Sequence, residues 1–222
     1  MSARRVQPAS RLWSLRTVLL VSAAFLAGIW LGLREANLRR PAIQVGAGGS
    51  MQVYFSPDGG ATRKLVSLLD SARKTVEVQA YSFTSRPLIR ALIAASRRGV
   101  AVTIILDRSH MERKNYRTHH WQRKISAALQ AFYSAGIATY IDDRYLIAHN
   151  KIMLIDGQTI TTGSFNFSYA AAHFNAENLL VIQDVPELFA RYQKNFAYHV
   201  QTSQRYTPGL VLTHQFHWPH HQ

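Results

Sequence analysis

The sequence predicts an α/β domain, a mixed β-sheet flanked by helices on both faces and preceded by an N-terminal apolar helix. Three observations carry that expectation. Segments of strand character alternate with segments of helical period from residue 51 to about 200. One of them, Val100–Leu106, is almost continuously apolar, as a strand buried on both faces requires. Asp156-Gly157 lies between two β-type runs, where it is a strong hairpin signal.

Taken in order, Met51–Phe55 is a short strand closed by the turn sequence Ser56-Pro57-Asp58-Gly59-Gly60. The span 61–72 puts Leu65, Leu68 and Leu69 on one helical face. Thr75–Phe83 alternates and is β-branched early, so a strand is expected there. Arg86–Arg98 reads as a helix with Leu88, Leu92, Ile93 and Ala95 inward, and Gly99 ends it. After the buried strand, residues 125–135 return to helical spacing, closed by Gly136, and Ala138–Ile141 is the next strand. Lys151–Ile155 and Thr159–Thr162 flank the Asp156-Gly157 turn. Leu179–Ile182 is a further strand and Val185–Tyr198 a closing helix. No internal repeat is visible. The expected organisation is a signal or anchor over 1–40, a linker over 41–50, one folded domain over 51–205 and a flexible tail over 206–222.

Composition narrows the functional classes. The chain has 222 residues, 47% hydrophobic and 17% charged, without cysteine. That is enough apolar material for one sizeable core. Collagen-like, disordered and disulfide-stapled classes are excluded, as is a zinc site built on thiolates. With 26 Lys+Arg against 12 Asp+Glu the formal charge is +14, which favours nucleic acid or an anionic membrane surface as partner. Seven of the arginines and one acid fall in residues 1–47. The remainder keeps 19 basic and 11 acidic residues, a net +8.

Within the leader, Thr17–Leu33 is a 17-residue stretch without a charge, preceded by four arginines. As a helix it would span about 25 Å, slightly short of the roughly 30 Å hydrocarbon core. No small-x-small cleavage site follows directly; Val45-Gly46-Ala47 is the nearest. The expectation is export, with the body periplasmic or anchored outside the cytoplasmic membrane by an uncleaved segment.

One constellation carries chemistry. On a strand His149 and Lys151 project from one face, and so do Ser164 and Asn166, because side chains repeat every two residues. The Asp156-Gly157 turn folds one strand back toward the other. An imidazole, an ammonium, a hydroxyl and an amide can thus meet. Phosphoryl transfer needs that set: a nucleophile or acid, with donors and positive charge for the equatorial oxygens. No carboxylate cluster stands nearby to hold a metal ion, so protein cations must serve instead.

His149-x-Lys151-x4-Asp156-x6-Gly163-Ser164-x-Asn166 resembles the signature of the phospholipase D superfamily without departure. The segments VQAYSFTS (78–85), IDDRYLIAHNK (141–151) and NAENLLVI (175–182) are similar to its small bacterial endonucleases, which carry a single copy of the motif. The resemblance spans about residues 51–200. It implies a phosphodiesterase needing neither metal nor cofactor, here a non-specific endonuclease acting through a phosphohistidine. The alternative it leaves is a phospholipase D-type hydrolase of phospholipid headgroups.

The resemblance further implies that His149 is the nucleophile, or the acid that protonates the leaving oxygen. Lys151, Ser164 and Asn166 would bind phosphate, and Glu177 would orient the catalytic imidazole. Asp156 and Gly163 are structural or supporting members of the signature, Asp156 being explained as well by the turn it makes with Gly157. Asn178 suits cross-strand hydrogen bonding.

A single motif carries a quaternary expectation, because two-step displacement needs one group to attack and another to protonate the leaving oxygen. His110, His119, His120 and His173 lack neighbouring Lys and Ser/Asn partners. An isologous homodimer with two His149 residues facing across the twofold axis is the simplest solution. The expected partners are nucleic acid (DNA, with RNA open) as substrate, a second copy of the chain, and a membrane through the N-terminal segment. The stretch 108–124, rich in Arg, Lys and His, is either a solvated helix or loop, or a basic lip whose Arg113, Lys114 and Arg117 bind substrate. A non-catalytic polyanion-binding protein is the third class, disfavoured because every polar group of the signature is present. Histidines 217, 220 and 221 read as part of a disordered end.

Overall fold

The computed structural model describes residues 22, 24–28, 48–114, 117 and 121–213. The N-terminal unit, residues 1–44, is described only at residues 22 and 24–28, which are helical. The rest of the expected anchor lies outside the described residues. Among the described residues no helix is long and apolar enough to cross a membrane.

The second unit is built on an eight-stranded mixed sheet. In chain order its elements are β1 (Ser50–Ser56), α1 (Ala61–Ser71), β2 (Thr75–Ala80), α2 (Arg86–Arg97) and β3 (Ala101–Asp107). A two-stranded ribbon of β4 (Glu112–Lys114) and β5 (Trp121–Arg123) comes next, then α3 (Ala127–Ser134) and β6 (Ala138–Asp142). β7 (Lys151–Ile155), β8 (Thr159–Gly163), α4 (Tyr169–His173), β9 (Glu177–Gln183), α5 (Pro186–Thr202) and β10 (Gln204–Arg205) complete it. The strand order is β1-β9-β8-β7-β2-β3-β6-β10. β2, β3 and β6 pair in parallel, joined through helices, whereas β7, β8, β9 and β1 continue the sheet antiparallel on one side.

Strand alternation divides the side chains between two layers. Val76, Val78, Ile104, Leu106, Met153 and Ile155 pack into the main core with Leu65, Leu69, Leu88, Leu92, Leu129 and Phe132 of α1, α2 and α3. Each fully buried side chain of this kind stabilises the fold by about 1.5–3 kcal/mol. The intervening Ile105, Ile152, Leu154 and Ile160 are buried on the other face, where α5 packs on β6 and β7 with Phe189 and Phe196 inward. The polar Glu77 on that face meets Gln193 of α5, and burial raises its pKa while the Gln193 hydrogen bond opposes the shift.

The β7–β8 hairpin is fastened at its turn. Asp156 adopts a left-handed conformation (φ 54°), with Gly157 following at φ 79°. Its carboxylate accepts the backbone N–H groups of Arg73 (2.8 Å), Lys74 (2.7 Å) and Thr75 (2.9 Å), at the entry to β2. Burial alone would raise the Asp156 pKa; the N–H groups of Thr75, Lys74 and Arg73 and the Lys74 charge outweigh it and hold the pKa low. The signature aspartate therefore has a structural role, at the end of β7 away from Lys151.

Two expectations are corrected. The basic stretch 108–124 is neither one solvated helix nor an open loop in its described parts: it opens with a single 3-10 turn, Arg108–His110, and then makes the β4–β5 ribbon, with Arg113 opposite Gln122 and Lys114 opposite Trp121. Residues 206–213, expected as free tail, pack on the fold. Tyr206 and Leu212 are buried, the Tyr206 ring meets Tyr133 edge-on at 5.4 Å, and its N–H donates to Thr139 O. Apolar side chains spaced through this segment outweigh its Pro and Gly. Residues 214–222, which include His217, His220 and His221, lie outside the described residues.

Replacing Asp156 by alanine should lower stability by about 2–3 kcal/mol, the cost of three N–H groups losing a charged acceptor, discounted for partial exposure. Asp156→Asn should fall between. The depressed pKa means this stabilisation is present above the ordinary aspartate pKa and is lost as pH falls through the folded value. Urea denaturation of wild type and both variants across acid pH would check both the size and the sign.

Candidate active site

The hairpin register builds the site. Met153 lies opposite Thr161, and Thr161 opposite Val181, so the start of β7, the end of β8 and the start of β9 come to one end of the sheet. There His149, Lys151, Gly163, Ser164, Asn166 and Glu177 line one pocket of about 410 Å³. All five residues expected to be catalytic are thus brought together. A second cavity of about 350 Å³ shares His149, Lys151 and Gly163 and continues to Arg191, Tyr192 and Asn195 of α5.

Strand alternation accounts for part of this arrangement only. His149 precedes β7, and Ser164–Asn166 follow β8 in irregular backbone. The chain leaves the strand at Gly163, whose φ of 146° is one that residues with a side chain rarely adopt. A Cβ there would stand 2.3 Å from the carbonyl oxygen of Asn178. The absent side chain lets β9 approach. The Asn178 N–H then donates to Ser164 Oγ (3.1 Å), and Asn178 O accepts from Phe165 N–H. Asn178 thereby does the cross-strand work expected of it.

Lys151 is 6% exposed, and its ammonium donates to the carbonyl oxygen of His149 at 2.7 Å. Burial lowers its pKa, and the nearby Glu177 carboxylate opposes that shift. Glu177 Oε1 accepts the Asn175 side-chain amide at 3.1 Å; among the described residues it makes no hydrogen bond to His149. Its electrostatic partner in this chain is Lys151. Asn166 Oδ1 is buried without a hydrogen-bond partner, which leaves this amide to pair with a group entering the pocket. Among the described residues no group of three or more His, Cys, Asp or Glu is placed to hold a metal ion.

Two supporting residues escaped the sequence reading. Tyr81 packs against His149, with ring centroids 4.6 Å apart, and lies 5.2 Å from Lys151 Nζ. Asp107, 2% exposed at the end of β3, accepts the N–H of Ala148 (2.8 Å) and so holds the residue next to His149. Tyr81 falls within a motif-like segment that gave a hint. Asp107 offered none, because its partner is 41 residues away and is a backbone group.

The basic stretch contributes less free charge than its composition suggests. Arg108 is buried and paired with Glu112 (3.0 Å), and Arg123 donates to the carbonyls of Leu210 and Pro208. Arg113 and Lys114 sit in the ribbon, their side chains outside the described set, and Arg117 is exposed between its strands. His110 and His173 are likewise engaged elsewhere, His110 buried against Ser126 and the Phe83 N–H, His173 paired with Asp58.

Comparison with known proteins places the fold and the pocket in context. Residues 65–200 match the family model described as cardiolipin synthase, PLD-like domain. A phospholipase D of Rickettsia conorii is 34% identical over 195 residues, covering 79% of this chain and 92% of its own. The mitochondrial cardiolipin hydrolase of Xenopus laevis is 32% identical over 139 residues, covering 63% and 60%. Among solved structures, the phospholipase D family member Nuc of Salmonella typhimurium matches with a TM-score of 0.62 and 33% identity, over 71% of this chain and 98% of that one.

Gly163→Ala should disable the pocket, because the new methyl group must displace Asn178 and with it the hydrogen bond to Ser164. The expected loss of stability is about 1–3 kcal/mol, as for other overpacked sites. Thermal melting and turnover of a small phosphodiester would measure the two effects; unaltered turnover would contradict the close approach.

Proposed function

The chain belongs to the phospholipase D superfamily of phosphodiester hydrolases, and from that premise we propose that it is a metal-independent endonuclease working through a phosphohistidine. The observation that supports this most is the single pocket holding His149, Lys151, Ser164 and Asn166. His149 attacks phosphorus, forming a P–N bond as the P–O bond to the leaving oxygen breaks. The His149 imidazolium of a second subunit gives that oxygen its proton. Water then attacks phosphorus, the same imidazole takes the water's proton, and the P–N bond breaks. Lys151 supplies positive charge to the equatorial oxygens, with Ser164 and Asn166 as polar partners of the phosphate. Glu177 helps keep Lys151 protonated.

The net +8 of the body supports nucleic acid as substrate, and Arg113, Lys114 and Arg117 on the β4–β5 ribbon are its proposed backbone contacts. The N-terminal segment would export or anchor the enzyme outside the cytoplasmic membrane. A second reading, hydrolysis of phospholipid headgroups, gains from one structural feature. Tyr145, Leu146 and Ile147 are exposed just before His149, an apolar surface beside the site. The name of the Rickettsia relative supports the same reading.

His149→Ala should abolish turnover, and Lys151→Ala or Asn166→Ala should each slow it by about 10² or more. Alkaline detergent quenching should trap an acid-labile phosphohistidine on His149. Because burial lowers the Lys151 pKa and a cation is lost as pH rises, kcat should fall on the alkaline side below the usual lysine range. Activity that vanishes in EDTA and returns with Mg²⁺ would refute the mechanism.

Subunit mixing and a substrate panel test the remainder. Excess His149→Ala chain should poison wild-type activity through inactive heterodimers, and dilution should lower specific activity. A monomer verified by light scattering that keeps full activity rules out the shared site. On single- and double-stranded DNA, RNA and phosphatidylcholine vesicles, DNA should be cut with little sequence preference and the lipid poorly. Faster lipid turnover would favour the second reading.

A further inference from the structure

A cleft of about 500 Å³, separate from the catalytic pocket, is lined by Ser85, Arg86 and Arg90 at the start of α2, Ser168 and Tyr169 at the start of α4, and Thr62 of α1. We propose that it is a second phosphate subsite, taking a neighbouring phosphate of a single-stranded polynucleotide whose scissile phosphate lies in the His149 pocket. The choice of polynucleotide rests on the nuclease reading above.

Ser85 is the first support. It is 5% exposed and is the N-cap residue of α2, yet its side chain makes no capping hydrogen bond. Its backbone is engaged, the N–H with Phe167 O and the carbonyl with Ile89 N–H. Among the described residues its hydroxyl has no partner, and it borders the cleft. An unpaired hydroxyl at a helix start, on an otherwise buried residue that borders the cleft, is suited to a ligand oxygen.

The charge around it points the same way. α2 has twelve residues with no acid in its first turn, so the positive end of the helix is uncompensated. The N–H groups of Arg86 and Leu88 have no acceptor within the helix, and Pro87 has none to offer. Arg86 and Arg90 are one turn apart, exposed, and form no ion pair among the described residues. Two acids border neighbouring cavities: Asp58, which is held at 3.0 Å by His173 of the cleft lining, and Asp70, whose cavity shares Thr62 and Pro87 with the cleft.

Placement decides the ligand. Asn166 lines the catalytic pocket and Ser168 lines the cleft, so their Cα atoms are at most about 7 Å apart. Each strand of a DNA duplex carries one phosphate per about 3.4 Å of axial rise, the spacing widening as a single strand extends. A strand leaving the catalytic pocket past Asn166 therefore meets the near edge of the cleft at Ser168 within a few nucleotides. Beside it stand two largely exposed rings, Tyr169 (62%) and Phe174 (72%), 5.7 Å apart and edge to face. Phosphate donors next to an aromatic platform suit unpaired bases.

The test compares a DNA dinucleotide with a single-stranded dodecamer as substrates of the full chain at low salt. For wild type, KM should fall about tenfold or more from the short to the long substrate. In Arg86→Glu/Arg90→Glu that gain should collapse to about twofold, and the slope of log KM against log salt for the dodecamer should decrease by about one to two. Arg86→Gln/Arg90→Gln, which puts no new charge on α2, should lose a large part of the gain, and Tyr169→Ala about threefold or more. Circular dichroism melting verifies that each variant is folded. A length gain preserved in both double variants overturns the subsite while leaving the nuclease reading standing. Wild type that cuts neither oligonucleotide but hydrolyses phosphatidylcholine vesicles overturns the nuclease reading, and the polynucleotide subsite with it.

Discussion

The pocket depends on one fastening, the carboxylate of Asp156 holding three consecutive backbone N–H groups at the entry to β2. It locks the turn of the β7–β8 hairpin to the strand beside it. With that end fixed, pairing carries the register along β7 and β8 to the opposite end, where Lys151 and Gly163 border the pocket. A slip of one residue would turn every side chain of a strand to the other face and take Lys151 out of the site. An aspartate roughly 17 Å from Lys151 along the strand thus helps to set which face Lys151 presents without touching it.

At the other end the polypeptide gives up regular structure to crowd polar groups together. Gly163 allows β9 close enough for Asn178 to hold Ser164, and Asp107 secures the backbone beside His149. A further buried pair, His199 with Asp142 at 2.7 Å, ties α5 to the end of β6 where this approach to His149 begins. Lys151 is kept in the pocket by the His149 carbonyl, the Tyr81 ring and the field of Glu177. Burying an ammonium is costly unless neighbours compensate, and these three do so while leaving its charge available to a phosphate.

Charge on this protein has two different uses. Arg108 and Arg123 are internal fasteners, the first paired with Glu112 and the second joining the β4–β5 ribbon to residues 208–210. Arg98 similarly donates to Leu69 O, linking the end of α2 to α1. Arg86 and Arg90 are instead unpaired among the described residues and border a cleft. Net charge favours polyanionic partners, nucleic acid and anionic membrane alike, whereas the local pairing of each guanidinium decides whether it can meet one.

Much of this was legible in one dimension. Apolar periodicity located α1 and α2 to within a residue or two and identified β3 as a buried strand, because burial on one face or both leaves its period in the chain. The fixed spacing from His149 to Asn166 announced the pocket, since a hairpin converts spacing directly into proximity. The β4–β5 ribbon, the packed segment 206–213 and α4 were not legible, being short or stabilised by contacts with distant residues. Asp156 shows the division most clearly. Its place in the motif was visible, but its function was decided by three N–H groups more than 80 residues away. Sequence determines which groups each element can present; only tertiary packing chooses which of them meet, because hydrogen bonds and burial act between neighbours in space.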